Sequence, residues 1–171
     1  MILCCGEALI DMIPKPVVEG GEGFVPHPGG AVFNTAVALG RLGADVGFLT
    51  GLSTDFFGDM LHDALTQSHV DTSSVIRSAR PTTLAFVQLT DGQASYAFFD
   101  ENSAGRMVSP ADIGDLPATT KALFFGGISL VAEPAADAYA ALIARHAKTD
   151  LIMLDPNIRP SFIQDEARYR Q

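Results

Sequence analysis

With 171 residues, of which 47% are apolar and 18% charged, the chain has the size and composition of one globular domain. Its formal net charge of -9 argues against a nucleic-acid partner, because binding phosphates requires clustered Lys and Arg. The opening residues lack the pattern of a signal peptide, and the longest apolar run, residues 122–132, is too short to span a bilayer. We therefore expect a soluble cytoplasmic protein with no membrane partner.

The first half of the chain alternates strands and helices. A strand is predicted over residues 2–13, and the glycines at 20–23 predict a turn before a second extended piece. Helical spacing of apolar residues predicts helices over 31–42 and 56–67, with a buried strand over 46–50 between them.

A hairpin is predicted in the middle of the chain. Residues 84–89 and 95–99 alternate apolar and polar side chains around Asp91 and Gly92, a dipeptide typical of tight hairpin turns. Together with the turn at 20–23, this hairpin does not fit a regular alternation of strands and helices. We therefore expect an antiparallel flap beside the main sheet.

The last third returns to alternating elements. Residues 122–125 and 151–154 are predicted as buried strands, and an Ala-rich helix is predicted over 135–147 between them. Apolar strands that alternate with helices predict an α/β fold with a parallel sheet covered on both faces. Ligands then belong at the carboxyl ends of the strands.

A glycine pair marks a candidate ligand site. Gly29 and Gly30 stand directly before the first predicted helix, where unpaired N–H groups and the helix dipole would favour an electron-rich oxygen. Asn34, in the first turn, adds an amide that both donates and accepts hydrogen bonds, as sugar hydroxyls require. A plain turn before a helix remains the alternative interpretation of the glycine pair alone.

Several motifs, in this order along the chain, resemble those of one family. GG-x-x-x-N from Gly29 and G-x-x-x-D-x-x-G from Gly51 are similar to the first signature of the ribokinase-like (PfkB) carbohydrate kinases. GEALIDMIP is similar to the first strand of that family, and YAFFDENSAGRM and DPNIRP are most similar to its fructokinase branch. The resemblance implies a ribokinase-like α/β fold, with a mainly parallel sheet, helices on both faces and a small β-lid over the sugar. The lid strands would lie within about 12–28 and 84–99.

The second signature of that family is missing from the sequence. Its form is D-T-x-G-A-G-D-x-F, and the resemblance implies that its backbone holds the phosphates and its last Asp removes the proton from the sugar. Neither a Walker phosphate loop nor a G-x-G-x-x-G fingerprint replaces it. We therefore expect residues 1–171 to be the N-terminal part of a single kinase domain without its nucleotide-binding part, and predict no kinase activity for this chain alone.

The resemblance also assigns candidate roles to single residues. Asp11 would grip the sugar through charge-assisted hydrogen bonds, and Phe98 would cover it from the lid. The alternatives are an exposed turn aspartate and a core aromatic. The full set of predicted sugar-binding residues is Asp11, Gly29, Gly30, Asn34, Phe98, Arg106, Asn157 and Arg159.

Two further expectations concern charge. The resemblance implies that Arg159 lies between the sugar and the transferred phosphoryl group and stabilises its charge, and a guanidinium suits phosphate oxygens; a surface arginine is the alternative. The acidic pair Asp100 and Glu101 favours a neutral sugar, although Arg106 could compensate. Glu7 is assigned no role. The histidines lack metal-ligand spacing, so no metal site is expected.

The function implied by the resemblance is ATP-dependent phosphorylation of a neutral sugar, with fructose favoured. ATP and the Mg²⁺ that accompanies it would bind the complete enzyme, and neither is expected to bind this chain alone. Open strand edges in the lid offer a pairing surface for a homodimer. Alternatives are a non-catalytic sugar-binding or regulatory module, a kinase for another neutral sugar or nucleoside, and, less favoured, a Rossmann-type oxidoreductase.

Overall fold

The computed structural model describes residues 1–18, 20–90, 93–163 and 165–170. Its strands are β1 Ile2–Cys5, β2 Leu9–Pro16, β3 Glu22–Gly29, β4 Val46–Leu49, β5 Gly51–Ser53, β6 Ile76–Ser78, β7 Leu84–Thr90, β8 Gln93–Phe99, β9 Ala122–Gly126 and β10 Leu151–Asp155. Its α-helices are α1 Ala31–Arg41, α2 Phe56–Gln67, α3 Ala135–His146 and α4 Glu166–Tyr169. None of the helices in these ranges has the length and apolar character needed to cross a membrane.

The main sheet consists of four parallel strands in the order β10-β9-β1-β4. Because successive residues of a strand face opposite sides, Cys4 and Cys5 enter two different cores. Cys4 packs with the buried faces of α1 and α2, whereas Cys5 packs with α3 around Tyr139. The predicted α/β class, with a parallel sheet between helices, is confirmed.

A second sheet has the order β3-β2-β7-β8. β2 pairs antiparallel with β3, β7 pairs antiparallel with β8, and the two hairpins join through parallel β2 and β7. The predicted turn at Asp91 and Gly92 lies outside the described residues. The base of this sheet packs on the α2 side of the main core through Ile10, which is fully buried.

The predicted single strand over residues 2–13 is wrong, because the chain leaves the main sheet after Cys5 and enters the second sheet at Leu9. The break falls at Gly6, which packs so closely that a Cβ would lie 2.6 Å from Val32 Cγ2 and 2.9 Å from Ser129 Oγ. Gly6 and Glu7 interrupt the apolar run at this point, but the prediction extended one strand across them.

The prediction that residues 151–154 form a buried strand is also wrong. β10 forms where predicted, but it lies at the edge of the main sheet, and Leu151, Met153 and Leu154 are 68%, 61% and 54% exposed. Only Ile152 packs against the α3 core. The apolar run predicts a strand correctly, but burial depends on neighbouring elements that cover both faces.

Candidate functional site

Asp11 and Gly29 form the centre of the predicted site. Asp11 lies on β2, in register with His27 on β3 and Ala85 on β7. Its carboxylate leans over Gly29, where a Cβ would fall 2.2 Å from Asp11 Oδ2. Only glycine leaves room for the carboxylate at this position, so the first glycine of the pair and the acid of the first motif are parts of one arrangement.

The carboxylate of Asp11 is a free acceptor in the part of the chain that the structure describes. Burial raises its pKa, and the nearby imidazole of His27 opposes part of that rise. A half-buried carboxylate with unused lone pairs gains more from a hydroxyl donor than an exposed one, since water competes less. His27, one of the histidines without metal-ligand spacing, lies beside Asp11 on the neighbouring strand.

Gly30 and Asn34 lie at the start of α1. Gly30 is the N-cap residue with φ of 109°, a left-handed conformation that favours glycine, and its carbonyl accepts the backbone N–H of Asn34 at 2.9 Å. Asn34 is exposed, and its side chain makes no hydrogen bond within the described ranges. Its amide is therefore available to a ligand.

The expectation of free N–H groups at this helix start is wrong for two of them. The Glu7 carboxylate accepts the backbone N–H of Ala31 at 2.8 Å and of Val32 at 3.3 Å, both through Oε1. Glu7 is 8% exposed, and burial raises its pKa, although hydrogen bonds from the backbone of Glu7 itself and from Val32 and contacts with Ser129 oppose that shift. Sequence reasoning missed Glu7 because its partners are distant in the chain.

Phe98 lies on the same face of the second sheet as Asp11, since Ala85 is in register with both residues. Its ring meets Phe162 edge-on, with centroids 4.8 Å apart, and this contact joins the second sheet to the segment after β10. Phe99 points to the opposite face, where it is 61% exposed and packs edge-on against Phe86 at 5.5 Å.

Arg106 lies beside the second sheet in an ion pair. Its Nη1 donates to Asp100 Oδ1 at 3.1 Å, its Nε donates to the carbonyl of Glu133 at 3.5 Å, and the side chain is 34% exposed. The guanidinium therefore neutralises the first acid of the Asp100–Glu101 pair. No contact connects Arg106 to Asp11 within the described residues.

Asn157 and Arg159 lie in the loop after β10. The backbone N–H of Asn157 donates to Asp155 Oδ1 at 3.0 Å, and Asn157 has a positive φ of 44°. Arg159 is exposed and folds back onto its own loop, with Nη1 donating to Asn157 Oδ1 at 2.8 Å. The two residues are held together, and the contact of Phe98 with Phe162 brings the same segment to the second sheet.

The aspartate of the G-x-x-x-D-x-x-G motif, Asp55, has a structural position. It caps α2 by accepting the N–H of Gly58 at 2.8 Å, and it binds Thr82, just before β7, through the hydroxyl at 2.7 Å and the N–H at 3.0 Å. Burial acts to raise its pKa, but the hydrogen bonds from Thr82 and Gly58 prevail and lower it. Asp55 thus fixes the base of the second sheet to α2.

Two cavities of about 350 and 330 Å³ lie elsewhere in the molecule. Both are lined by Asp115, Leu116 and Pro117, and none of the predicted sugar-binding residues borders either of them. The candidate site, between the second sheet and the start of α1, is distinct from both cavities.

Comparisons with known proteins bear on this arrangement. A family model described as "pfkB family carbohydrate kinase" matches residues 1–171. The chain is 53% identical over 166 residues to a fructokinase of Rhizobium leguminosarum bv. trifolii. The matched region covers 97% of this chain and 51% of that protein.

Two solved structures are also similar. One is a fructokinase of Xylella fastidiosa with bound ATP, with a TM-score of 0.89, 31% identity, and coverage of 98% of this chain and 56% of that chain. The other is a double-mutant fructokinase of Vibrio cholerae O395 in a form with bound fructose, ADP and potassium ion, with a TM-score of 0.82, 25% identity, and coverage of 99% and 54%. The chain spans about half the length of these relatives.

Proposed function

Because the chain belongs to the pfkB family of carbohydrate kinases, we propose that it forms the sugar-binding part of an ATP-dependent kinase for a neutral sugar, with fructose as the substrate. The observation that carries this proposal is the Asp11 carboxylate held over Gly29, next to the open N-cap at Gly30. The fructokinase relatives support fructose among the neutral sugars.

Asp11 and Asn34 divide the recognition of hydroxyl groups between them. The carboxylate accepts hydrogen bonds from two neighbouring hydroxyls, whereas the Asn34 amide both donates and accepts. The glycines at 29 and 30 let the sugar approach the backbone, because neither position carries a side chain that would occupy the same space.

The second sheet acts as a lid in this proposal. Phe98, on the Asp11 face, covers the sugar and excludes water that would otherwise accept the phosphoryl group. Arg159 meets charge that develops on that group, and its hold on Asn157 keeps the guanidinium at the loop after β10. Arg106 neutralises Asp100 in the segment that follows the lid strand β8.

ATP and its Mg²⁺ are the co-substrate and metal of the proposed reaction. No group of three or more His, Cys, Asp or Glu residues in the described part of the chain is placed to hold a metal. Because the motif D-T-x-G-A-G-D-x-F does not occur in residues 1–171, we assign the phosphates, the magnesium and the general base to another part of the kinase, and derive no step through the metal. A reaction that consumes ATP fits the cytoplasm.

The exposed strand β10 supports this division of the domain. A parallel strand in an α/β sheet is normally covered on both faces, yet Leu151, Met153 and Leu154 are mostly exposed. We infer that the nucleotide-binding part of the kinase domain continues the main sheet at β10 and buries these side chains. Met153→Lys should then leave the free energy of unfolding of residues 1–171 unchanged and lower that of the complete kinase.

The outer face of the lid is the proposed dimer surface. Phe24 packs edge-on against Phe86 with centroids 5.0 Å apart, and Phe24 and Phe99 remain 47% and 61% exposed. Such an aromatic cluster, flanked by the open edges of β3 and β8, suits a second copy of the same chain. Sedimentation of wild type and Phe99→Ser would show a dimer that the substitution dissociates.

Isothermal calorimetry with fructose tests the proposed function directly. Wild-type chain should bind fructose, Asp11→Asn should not bind measurably, and Asp63→Asn, which removes the same charge from the exposed surface of α2, should bind like wild type. A coupled assay with ATP and Mg²⁺ should give no turnover for residues 1–171. Absence of fructose binding by wild type would contradict the proposal, and turnover would contradict the division of the domain.

A further inference from the structure

Glu7 lies buried between the start of α1 and the turn that follows β9. Its Oε1 accepts the N–H groups of Ala31 and Val32 in the first turn of α1. The N-cap residue Gly30 contributes no side-chain hydrogen bond, and α1 has no acidic residue in its first turn. Glu7 therefore caps α1 in place of the Ser, Asp or Asn that is common at the N-cap. It lies more than twenty residues away along the chain.

Two glycines, Gly30 and Gly127, leave space for Glu7 because they have no Cβ. A Cβ on Gly30 would lie 3.0 Å from the backbone oxygen of Glu7 and 3.2 Å from its Cγ. On the other side, Gly127 follows β9 with φ of 70°, and a Cβ there would lie 2.1 Å from Oε1 and 2.3 Å from Oε2. The carboxylate thus sits between the glycine pair of the sugar site and the turn after β9.

The arrangement is costly for stability alone. Glu7 Oε2 is buried and makes no hydrogen bond of good geometry among the described residues, and the nearby Ser129 opposes only part of the rise in the pKa of this carboxyl group. A side chain at position 30 could cap the helix locally, as Asp55 does for α2. Capping from Glu7 instead keeps position 30 free of a side chain while still ordering the backbone that follows it.

We propose that Glu7 is a positioning residue of the sugar site. It fixes the backbone at Gly30 and the start of α1 against the turn at Gly127, so that this backbone is already ordered before a sugar binds. The proposal rests on the proposed function in that it assigns sugar binding to this backbone. Glu7 acts through Gly30 and Ala31, and touches no sugar atom itself. Preorganisation of this kind raises affinity by removing the ordering cost at binding.

Fructose calorimetry on Glu7 variants tests the proposal. Glu7→Ala should weaken binding about 10-fold or more, because the first turn of α1 loses its acceptor. Glu7→Gln keeps a carbonyl oxygen at the same reach and should retain most of the affinity. Leu65→Ala, a cavity in the buried face of α2, is the matched destabilised control and should bind fructose like wild type.

A substitution from the opposite side supplies an independent variant. Gly127→Ala would push its Cβ into the Glu7 carboxylate and should weaken fructose binding as well. In the Glu7→Ala background the same substitution should weaken binding less than it does alone, since the displaced carboxylate is gone and only the backbone strain at the left-handed position 127 remains. Additive losses of affinity in the double variant would overturn the proposal.

Amide hydrogen exchange separates this proposal from the proposed function. The Ala31 and Val32 amides should be protected in wild type and Glu7→Gln and exposed in Glu7→Ala, with or without sugar. If wild type binds no fructose, the proposed function fails, and the exchange data still decide whether Glu7 orders this backbone. Unchanged protection in Glu7→Ala, or equal fructose affinity of Glu7→Ala and wild type, would overturn the proposal. Should Glu7→Ala not fold, weak binding by Glu7→Gln would overturn it, as would wild-type binding by Gly127→Ala.

Discussion

The helices α1 and α2 both begin within the glycine-rich part of the chain, yet their N-termini are stabilised in opposite ways. Asp55 caps α2 from the adjacent position in the sequence, and hydrogen bonds lower its pKa. Glu7 caps α1 from the connection between β1 and β2, and burial raises its pKa. The α2 start is closed by its own aspartate and by Thr82, whereas the α1 start presents a bare glycine to the cleft.

This difference separates a structural helix start from one that is suited to a ligand. A local cap fills the space in front of the first turn with a side chain, which suits a helix that only has to be stable. Because α1 is capped by Glu7, which is distant in the sequence, the space in front of its first turn stays open at Gly30, next to the Asp11 carboxylate. We therefore expect substitutions at α1 to change sugar affinity, and substitutions at α2 to change the free energy of unfolding.

The largest expected effect is on the glycine that makes room for Asp11. Gly29→Ala should weaken fructose binding on the order of 100-fold, because its Cβ would displace the Asp11 carboxylate, which in the proposed site accepts two charge-assisted hydrogen bonds from the sugar. Gly58→Ala is the matched change at α2, where a Cβ would lie 2.0 Å from the backbone oxygen of Ser53. It should destabilise the fold and leave the fructose Kd of the folded chain unchanged, as calorimetry on both variants would show. Equal affinity losses in the two variants would remove the distinction between the helix starts.

A smaller effect is expected from the local cap itself. Asp55→Ala should lower the free energy of unfolding by about 2 kcal/mol, since the α2 cap and the bonds to Thr82 are lost together. Urea unfolding measures the loss, and fructose calorimetry at a temperature where the variant is folded provides the control. A large change in Kd with little change in stability would place Asp55 in the sugar site.

The smallest effect is the pH dependence of stability, which should have opposite signs at the two caps. Asp55 has a lowered pKa in the fold, so its stabilisation is present above the unfolded value of about 3.9 and is lost as pH falls through the folded pKa. Glu7 has a raised pKa, so stability falls as pH rises from about 4.3 through its folded pKa.

Urea unfolding from acid to neutral pH, compared with Asp55→Asn and Glu7→Gln, measures these two contributions. Asp55→Asn should lose the acid-side dependence, and Glu7→Gln should lose the fall in stability on raising the pH. Asp11 also has a raised pKa, but it is present in all three proteins and cancels in the differences. The same sign in both variants would contradict the contrast between the caps.

The sequence predicted the elements well where periodicity and turn residues act locally. The helix over 56–67 has the predicted bounds, and the hairpin strands around residues 91 and 92 are close to those expected. The break after Cys5 was not predicted, because Gly6 and Glu7 form only a short interruption of the apolar run, and the close packing of Gly6 against Val32 and Ser129 depends on the fold. The exposure of β10 was not predicted, because the sequence of an apolar strand is the same whether or not neighbouring elements bury it.

The candidate site was predicted in part. The sequence motifs placed Asp11, Gly29 and Gly30 in one site, and the geometry of the Asp11 carboxylate over Gly29 agrees with that prediction. Glu7 could not be found in this way, because its hydrogen bonds join residues 24 and 25 positions apart and no local pattern marks them. The free N–H groups expected at α1 were wrong for the same reason.

An NMR titration of the isotope-labelled chain with fructose tests most directly whether a sugar binds at the start of α1. We expect the largest changes in amide chemical shift at Asp11, Gly29, Gly30, Asn34 and Phe98. The amide chemical shifts from Asp55 to Gly58 should not change. Shifts that are largest at the start of α2, or amides of Asp11 and Asn34 that do not move at saturating fructose, would contradict it.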